Sequence, residues 1–349
     1  MEFGLFDHLD SSGVPIHQLY SERLALIAHA ESLGFTRYHI AEHHGTPLGL
    51  APSPSLWIAS VLQRTTTLRV GALAYVLPLY NPLRLAEEIA QLDQLGGGRL
   101  EVGVGRGASP YELELFGVDA STAFNYYVEA LEAVTTALRA GHMSHTGPQL
   151  GTYDAPLEVV PLQRPYPPLW FPSANPQSAT WAGQQGMNLA TFASTEGFRP
   201  VVDEYWRSWQ EHRSDPSRLN AHVSHPLIGV GRQIVIAATD DEAITMAREA
   251  HGTHSAHFLK LWHEHSDHSR DSLVDFERGL ESGTILAGSA ERVLERLSAE
   301  VEESGINYLT CTFAFGSLSH ENAMHSMSAF AEDVMPTLAA IGARKPSKS

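Results

Sequence analysis

Residues 68–107 read LRVGALAYVLPLYNPLRLAEEIAQLDQLGGGRLEVGVGRG, and this stretch determines the fold that we predict. The apolar run at residues 68–76 predicts a strand, and Asn81 followed by Pro82 predicts the start of a helix that three glycines end. A second apolar run, at residues 99–104, follows at once. Two strands that are joined through one helix by short loops run parallel, with a right-handed crossover. The stretch is therefore one βαβ unit.

The same alternation of strand and helix recurs along the chain. The predicted strands are at residues 2–6, 37–41, 68–76, 99–104, 169–172, 187–191, 232–237 and 306–315. Eight such units favour a single α/β (β/α)8 TIM barrel over an open doubly wound sheet, and no glycine-rich dinucleotide fingerprint follows the first strand. We place the barrel at residues 1–336, with an excursion at residues 142–168 before the fifth strand and a C-terminal tail at residues 337–349.

Composition argues against several classes of partner. Acidic residues number 40 against 23 basic ones, so the formal net charge is -17. That charge repels phosphate backbones and anionic lipids, and we expect neither a nucleic acid nor a membrane as partner. No stretch reaches the roughly 18 apolar residues of a membrane span, and no basic segment precedes an apolar run at the N-terminus. We therefore expect a cytoplasmic protein.

Side chains that follow barrel strands surround the mouth of the barrel, where active sites are built. Those positions are Asp7, His8, Glu42, His43, His44, Tyr75, Arg106, Ser173, Asn175 and Thr191. Neighbouring residues of a strand point to opposite faces, so only one of His43 and His44 can point into the mouth. A single histidine at a strand end is more often structural, but the barrel context favours a function for it. We expect Glu42 to orient a neighbour.

Two features predict an anion site on the rim. Arg106 lies between two glycines, where a guanidinium and backbone N–H groups can approach a phosphate closely, although a salt bridge on the rim explains it equally well. The helix that begins at Asn175 and Pro176 offers unpaired N–H groups at its N-terminus.

These motifs together resemble those of the luciferase-like flavin-dependent monooxygenases. The resemblance is carried by FGLF at 3–6, AEHH at 41–44, the 68–107 stretch and the closing FAFGSLSHENAMHSMSAFAEDVMP at 313–336. It implies a barrel, usually a homodimer, that binds reduced FMN delivered by a separate flavin reductase. In that family O2 adds to the flavin C4a atom, and the resulting peroxyflavin attacks a small organic substrate.

The resemblance also implies roles for single residues. His43 matches the catalytic histidine, and Glu112 matches a carboxylate after the arginine loop, although from the residues alone Glu112 is as readily part of a solvated face. The matches to the cofactor site are Leu73 and Ala74 at a non-proline cis peptide under the flavin ring, Arg106 and Ser178 on the FMN phosphate beside Asn175, and Ala174 in place of a family acid. Light-emitting members have a reactive cysteine where Gly105 stands, and several members have a second phosphate arginine where Phe124 stands, which argues against light emission and predicts looser cofactor binding.

Six histidines occur between the seventh and eighth strands, at residues 251–268. His251, His254 and His257 could share one helix face, but no carboxylate or cysteine with metal-ligand spacing accompanies them, and we predict no metal site. By resemblance this segment forms a mobile lid over the flavin.

Other functions remain open on sequence alone. The same fold could transfer a hydride from reduced F420, could bind a flavin without turnover, or could be a metal-dependent hydrolase with His43 and His44 as ligands. The aromatic and aliphatic residues expected to line an apolar pocket are Phe6, Tyr75, Leu77, Phe313 and Phe315. A barrel does not name its substrate.

Overall fold

Eight parallel strands close into a barrel in the computed structural model, which describes residues 1–344. The strands of the chain are β1 (Glu2–Asp7), β2 (Arg37–Ile40), β3 (Arg69–Val76), β4 (Leu100–Gly105), β5 (His142–Gly147), β6 (Gly151–Pro156), β7 (Leu169–Pro172), β8 (Asn188–Thr191), β9 (Ile228–Ile236), β10 (Ile285–Gly288) and β11 (Tyr308–Thr312). The barrel runs β1-β2-β3-β4-β7-β8-β9-β11, and β11 pairs with β1 to close it. The predicted barrel is confirmed.

Helices surround the barrel. They are α1 (Ile16–Ser32), α2 (Pro54–Leu62), α3 (Pro82–Leu95), α4 (Pro110–Leu115), α5 (Ala123–Ala140), α6 (Pro176–Gln185), α7 (Thr195–His212), α8 (Asp240–Glu264), α9 (Phe276–Ser282), α10 (Ala290–Ser304), α11 (His320–Ala329) and α12 (Met335–Arg344). The Asn81 side chain accepts a hydrogen bond from the Arg84 N–H, so α3 begins as its cap predicts. Within residues 1–344, no helix is both long enough and apolar enough to cross a membrane.

Three strands lie outside the predicted pattern. The excursion before the fifth barrel strand contains the antiparallel hairpin β5–β6, in which Met143 is the one buried side chain. A hairpin with so little apolar alternation gives no period-two signal in the sequence. The other strand, β10, pairs with the second half of β9, and β9 itself begins at Ile228 rather than at residue 232.

The C-terminal boundary that we predicted at residue 336 does not end the folded chain. Helix α12 continues to Arg344, and Leu338 is fully buried. Residues 345–349, the rest of the predicted tail, lie outside the described residues.

The segment between β9 and β11 carries the predicted lid. It folds as α8, α9, β10 and α10, and the 25-residue α8 spans most of the histidines at 251–268. His251 and His254 are buried on the face of α8 that packs inward. Movement of this segment over a cofactor stays a prediction.

The lower half of the barrel interior is filled by a polar network around Glu101, which is 1% exposed. Its carboxylate accepts hydrogen bonds from Arg37, Arg69, His39 and Trp170 at 2.7–3.2 Å. Burial alone would raise the pKa of Glu101, but the two guanidiniums and the imidazole outweigh burial and hold it well below its usual range. With the base of the barrel filled in this way, only the opposite end, at the carboxyl termini of the strands, offers a mouth.

Candidate active site at the mouth of the barrel

His43 and Glu112 come together at the mouth. His43 lies three residues past β2, and its Nδ1 atom is 3.0 Å from Oε1 of Glu112. Glu112 lies in the first turn of α4, where Ser109 caps the helix by accepting from the Glu112 N–H. A carboxylate can only accept, so Nδ1 of His43 carries the proton and Nε2 remains an acceptor. This arrangement can hold or move a proton at Nε2.

Glu42 fixes the other histidine of the pair. Its buried carboxylate accepts from the Val76 N–H at 2.7 Å, the Tyr80 hydroxyl at 2.8 Å and Nε2 of His44 at 3.0 Å. The His44 ring contacts Phe116, with centroids 4.6 Å apart. Glu42 therefore orients its neighbours as predicted. The side chains of His43 and His44 bond to different carboxylates, while the His44 backbone N–H donates to Glu112.

His8 places another imidazole ring beside that of His43. Since side chains alternate along β1, Phe6 and His8 share a face, and their rings lie 4.9 Å apart. The His8 ring stacks on His43 at 5.4 Å, and its Nδ1 atom is buried without a hydrogen-bond partner among the described residues. Burial lowers the pKa of His8 far below its usual value, and His254 and His43 lower it further. His8 is therefore neutral at neutral pH.

A second carboxylate, Asp10, lies on the far side of His8. Asp10 accepts from Nδ1 of His254 at 2.8 Å, from Nδ1 of His257 at 2.5 Å and from the Gly316 N–H at 2.7 Å. Burial would raise the pKa of Asp10, but the hydrogen bonds from the two histidines and Gly316 outweigh burial and lower it. Asp10 was not among the predicted site residues, although it stands three residues past a strand that ends at the mouth.

The predicted anion site is distributed over two neighbouring strand ends. Strands β4 and β7 pair, so Arg106 and the N-terminus of α6 follow adjacent strands. Arg106 is exposed and makes no hydrogen bond or ion pair with any described residue. Asn175 caps α6 by accepting from the Gln177 N–H at 2.8 Å, and Ala174 before it is exposed. The half-buried Ser178 hydroxyl has no hydrogen bond with residues 1–344. Arg106, Ser178 and the N-terminus of α6 could hold a phosphate.

The peptide bond between Leu73 and Ala74 is cis, as expected. The register of β3 against β4 shifts at this point. Gly103 of β4 passes so close to β3 that a Cβ atom there would lie 2.3 Å from the Ala72 carbonyl oxygen. Leu73 is buried inside the barrel, in a cluster that includes Phe6.

Our prediction of the apolar pocket was wrong for four of its five residues. Tyr75, Leu77, Phe313 and Phe315 belong to the core between the barrel and its surrounding helices. Phe6 lies at the mouth beside His8, and Phe315 lies 6.2 Å from the His254 ring. Neighbouring residues of a strand point to opposite faces, so Tyr75 of β3 points away from the face of Ala74. The position of Tyr75 at the end of a strand does not by itself show which face it takes.

The three histidines that could share one face of α8, His251, His254 and His257, do not form a metal-ligand group. His251 bonds to Gln233 and to the Val274 carbonyl, whereas His254 and His257 bond to Asp10. In the part of the chain that the structure describes, the one group with metal-ligand spacing is His263, His268 and Asp271, which are all exposed.

The sequence matches that of a known protein family. A sequence model for luciferase-like monooxygenases matches residues 1–308. The uncharacterized protein y4wF of Sinorhizobium fredii is 37% identical over 336 residues, which cover 96% of each chain. The oxygenase component of the flavin-dependent trigonelline monooxygenase of Acinetobacter baylyi is 27% identical over 353 residues, covering 96% of this chain and 95% of that protein.

Solved structures share the fold. Monooxygenase RslO1 from Streptomyces bottropensis has a TM-score of 0.84 at 22% identity, covering 97% of this chain and 99% of its own. The oxygenating constituent of 3,6-diketocamphane monooxygenase from Pseudomonas putida, solved with FMN, has a TM-score of 0.78 at 22% identity, covering 96% and 98%. F420-dependent tetrahydromethanopterin reductase from Methanopyrus kandleri has a TM-score of 0.70 at 18% identity, covering 97% and 99%.

Proposed function

The chain belongs to the luciferase-like monooxygenase family, and on that premise we propose that it is the oxygenase component of a two-component flavin-dependent monooxygenase. It would take reduced FMN from a separate flavin reductase and use O2 to oxidise a small organic substrate. The observation that carries the proposal is the His43–Glu112 pair at the barrel mouth, since a carboxylate-oriented imidazole is suited to proton transfer at the reacting centre.

The residues at the mouth fit a cofactor that carries a phosphate. Arg106 has a guanidinium without a partner among the described residues, and a phosphate would satisfy it bidentately. The Ser178 hydroxyl and the N-terminus of α6 supply further donors at the adjacent strand end. Leu73 and Ala74 would lie under the flavin ring. Reduced FMN, when bound, supplies the two electrons that activate O2.

The protein's own groups then manage protons and water. His43 would give or take a proton at Nε2, and Glu112 would stabilise the imidazolium whenever His43 is charged. The His8 ring covers one side of His43, and the Phe6 ring packs against His8, which limits access of water to His43. Because this pair is complete, a flavin-binding role without turnover is the weaker proposal.

A second candidate keeps the site and changes the cofactor. The fold is shared with a reductase that depends on F420, which also carries a phosphate, so the rim residues suit both cofactors. In that case the substrate would receive a hydride and O2 would not be consumed.

Titration of the protein with each reduced cofactor under anaerobic conditions tests the proposal. Flavin fluorescence and equilibrium dialysis report binding, and O2 uptake with a substrate panel of aldehydes, ketones, sulfonates and phenols reports turnover. Binding of reduced FMN with substrate-coupled O2 uptake supports the monooxygenase. Binding of F420H2 alone, with substrate reduction, supports the hydride-transfer candidate, and failure of both cofactors to bind overturns both.

Two partner expectations go with this proposal. We expect turnover when a flavin reductase from the same organism supplies the reduced FMN. Light scattering after size exclusion is expected to give twice the chain mass of 38.1 kDa, as for a homodimer.

A further inference from the structure

A second carboxylate–imidazole pair contacts the same His8 ring as the first. Nδ1 of His254 is 2.8 Å from Oδ2 of Asp10, and the same oxygen accepts from the Gly316 N–H. Asp10 is 1% exposed, so the groups packed around it hold its carboxylate in this position. Because the carboxylate accepts the Nδ1 proton, Nε2 of His254 is left as an acceptor, and it makes no hydrogen bond with residues 1–344.

The two pairs flank one neutral ring. The His8 ring centroid lies 5.2 Å from that of His254 and 5.4 Å from that of His43. Neither nitrogen of His8 bonds to a carboxylate of the described residues, whereas His43 and His254 each have one nitrogen so bonded. The site therefore has two carboxylate-oriented bases with a neutral imidazole between them. The other charged or titratable groups near this array, among the described residues, are Asp7, Arg23, Glu112, His251 and His257.

The walls around this array are flat and aromatic. His8 and His43 are stacked, with 29° between their planes. The Phe6 ring lies 4.5 Å from the ring of Phe192, which is exposed. Rings of this kind favour a planar substrate, which buries its faces against them.

We propose that His254, oriented by Asp10, is a second acid–base residue that deprotonates the organic substrate, and that this substrate is a phenol or a hydroxylated heteroaromatic compound. The inference rests on the proposed function, in which His43 serves the cofactor. The substrate O–H bond breaks, its proton moves to Nε2 of His254, and the electron pair stays on the substrate oxygen. The resulting imidazolium is paired with the Asp10 carboxylate. Deprotonation makes the ring more electron-rich and so more reactive toward an electrophilic oxygen.

Asp10 also bonds to His257, so a purely structural clamp on α8 is the alternative. His254→Asn distinguishes the two roles, because the asparagine amide N–H can still donate to Asp10 while the base at Nε2 is lost. His257→Asn is the matched control on the same helix. The thermal unfolding temperature of each variant measures the structural role of the side chain on α8, independently of any role as a base.

The test uses the cofactor-free protein and two chromophoric probes, 4-nitrophenol and 2-hydroxy-5-nitropyridine. Each probe absorbs in the visible range when it is ionised. Below the pKa of the free probe, the wild-type protein is expected to raise the ionised fraction of bound probe roughly tenfold, as for a shift of one pKa unit. His257→Asn should raise the ionised fraction of bound probe as the wild type does. Asp10 acts through His254, so Asp10→Asn should raise the ionised fraction only at higher pH.

His254→Asn should bind the probes in their neutral form, with an unfolding temperature like that of His257→Asn. An ionised probe in His254→Asn overturns the role of His254, and failure of the wild-type protein to bind or ionise either probe overturns the substrate class. If the probes ionise but reduced FMN does not bind, the proposed function fails while the second base stands.

Discussion

Glu112 Oε1 lies 3.0 Å from Nδ1 of His43, although 69 residues separate them in the chain. If His43 holds a proton beside the cofactor, His43→Ala should bind reduced FMN as tightly as the wild type but form roughly 100-fold less product per flavin oxidised, with hydrogen peroxide released instead. Glu112→Gln should be intermediate, because the amide can still contact His43 without stabilising its charged form. Product and peroxide assays on the same reaction measure this, and full coupling in His43→Ala would remove His43 from the chemistry.

Arg106 provides the second prediction. It is exposed and has no partner among the described residues, so its loss should not affect folding. A charge-assisted contact to phosphate contributes about 1.5–3 kcal/mol, so Arg106→Ala should raise the Kd for FMN by roughly 10- to 100-fold. Arg64, an exposed arginine that precedes β3 at the opposite end of the barrel, is the matched control. Equal Kd values for Arg106→Ala and Arg64→Ala would exclude Arg106 from the phosphate site.

Gly49 packs directly on the backbone of His43. A Cβ atom at residue 49 would lie 2.6 Å from Cβ of His43 and 3.0 Å from its carbonyl oxygen. Gly49→Ala should therefore displace His43 from Glu112, lower kcat by about tenfold or more, and cost roughly 1–3 kcal/mol of stability through overpacking. Gly252→Ala is the control, since nothing lies within 4 Å of the added methyl and a helical alanine should stabilise by about 0.5–1 kcal/mol. Normal turnover by Gly49→Ala would show that the position of His43 tolerates this shift.

The barrel was predictable because strand and helix periods repeat eight times and short loops force parallel pairing. The hairpin at 142–156 was not, since most of its side chains are exposed and its sequence has no apolar alternation. The helix α12 was cut short because the polar residues near its end suggested a tail.

Side chains at the strand ends, such as His43 and Arg106, could be located from the sequence, and their roles stay predictions. What the sequence could not give was pairing over long separations. Asp10 and His254 are 244 residues apart, and only the closed barrel brings the loop after β1 against α8. The sequence could not show whether Glu112 is solvated or paired. A glutamate in the first turn of a helix is usually solvated, and only the contact with His43 shows that Glu112 is paired.

The last prediction concerns stability rather than the site. Glu31, in the last turn of α1, accepts from the backbone N–H groups of Thr66, Thr67 and Leu68, which lead into β3. Burial would raise the pKa of Glu31, but these hydrogen bonds outweigh it and lower the pKa to about 2. A carboxylate whose pKa is depressed on folding stabilises fully above its unfolded value, near 4.5, and loses that effect as the pH falls toward 2.

Glu31→Gln should therefore lower the free energy of unfolding by about 1 kcal/mol at neutral pH, a figure reduced for solvent screening because the carboxylate is partly exposed. The difference from the wild type should shrink below pH 4.5 and vanish near pH 2, as measured by urea denaturation across that range. Glu22→Gln, on the same helix, removes a carboxylate that, among residues 1–344, accepts only from the Gln18 amide, and it should change stability little at any pH. A difference between Glu31→Gln and the wild type that persists unchanged to pH 2 would mean that shape rather than charge holds α1 to β3.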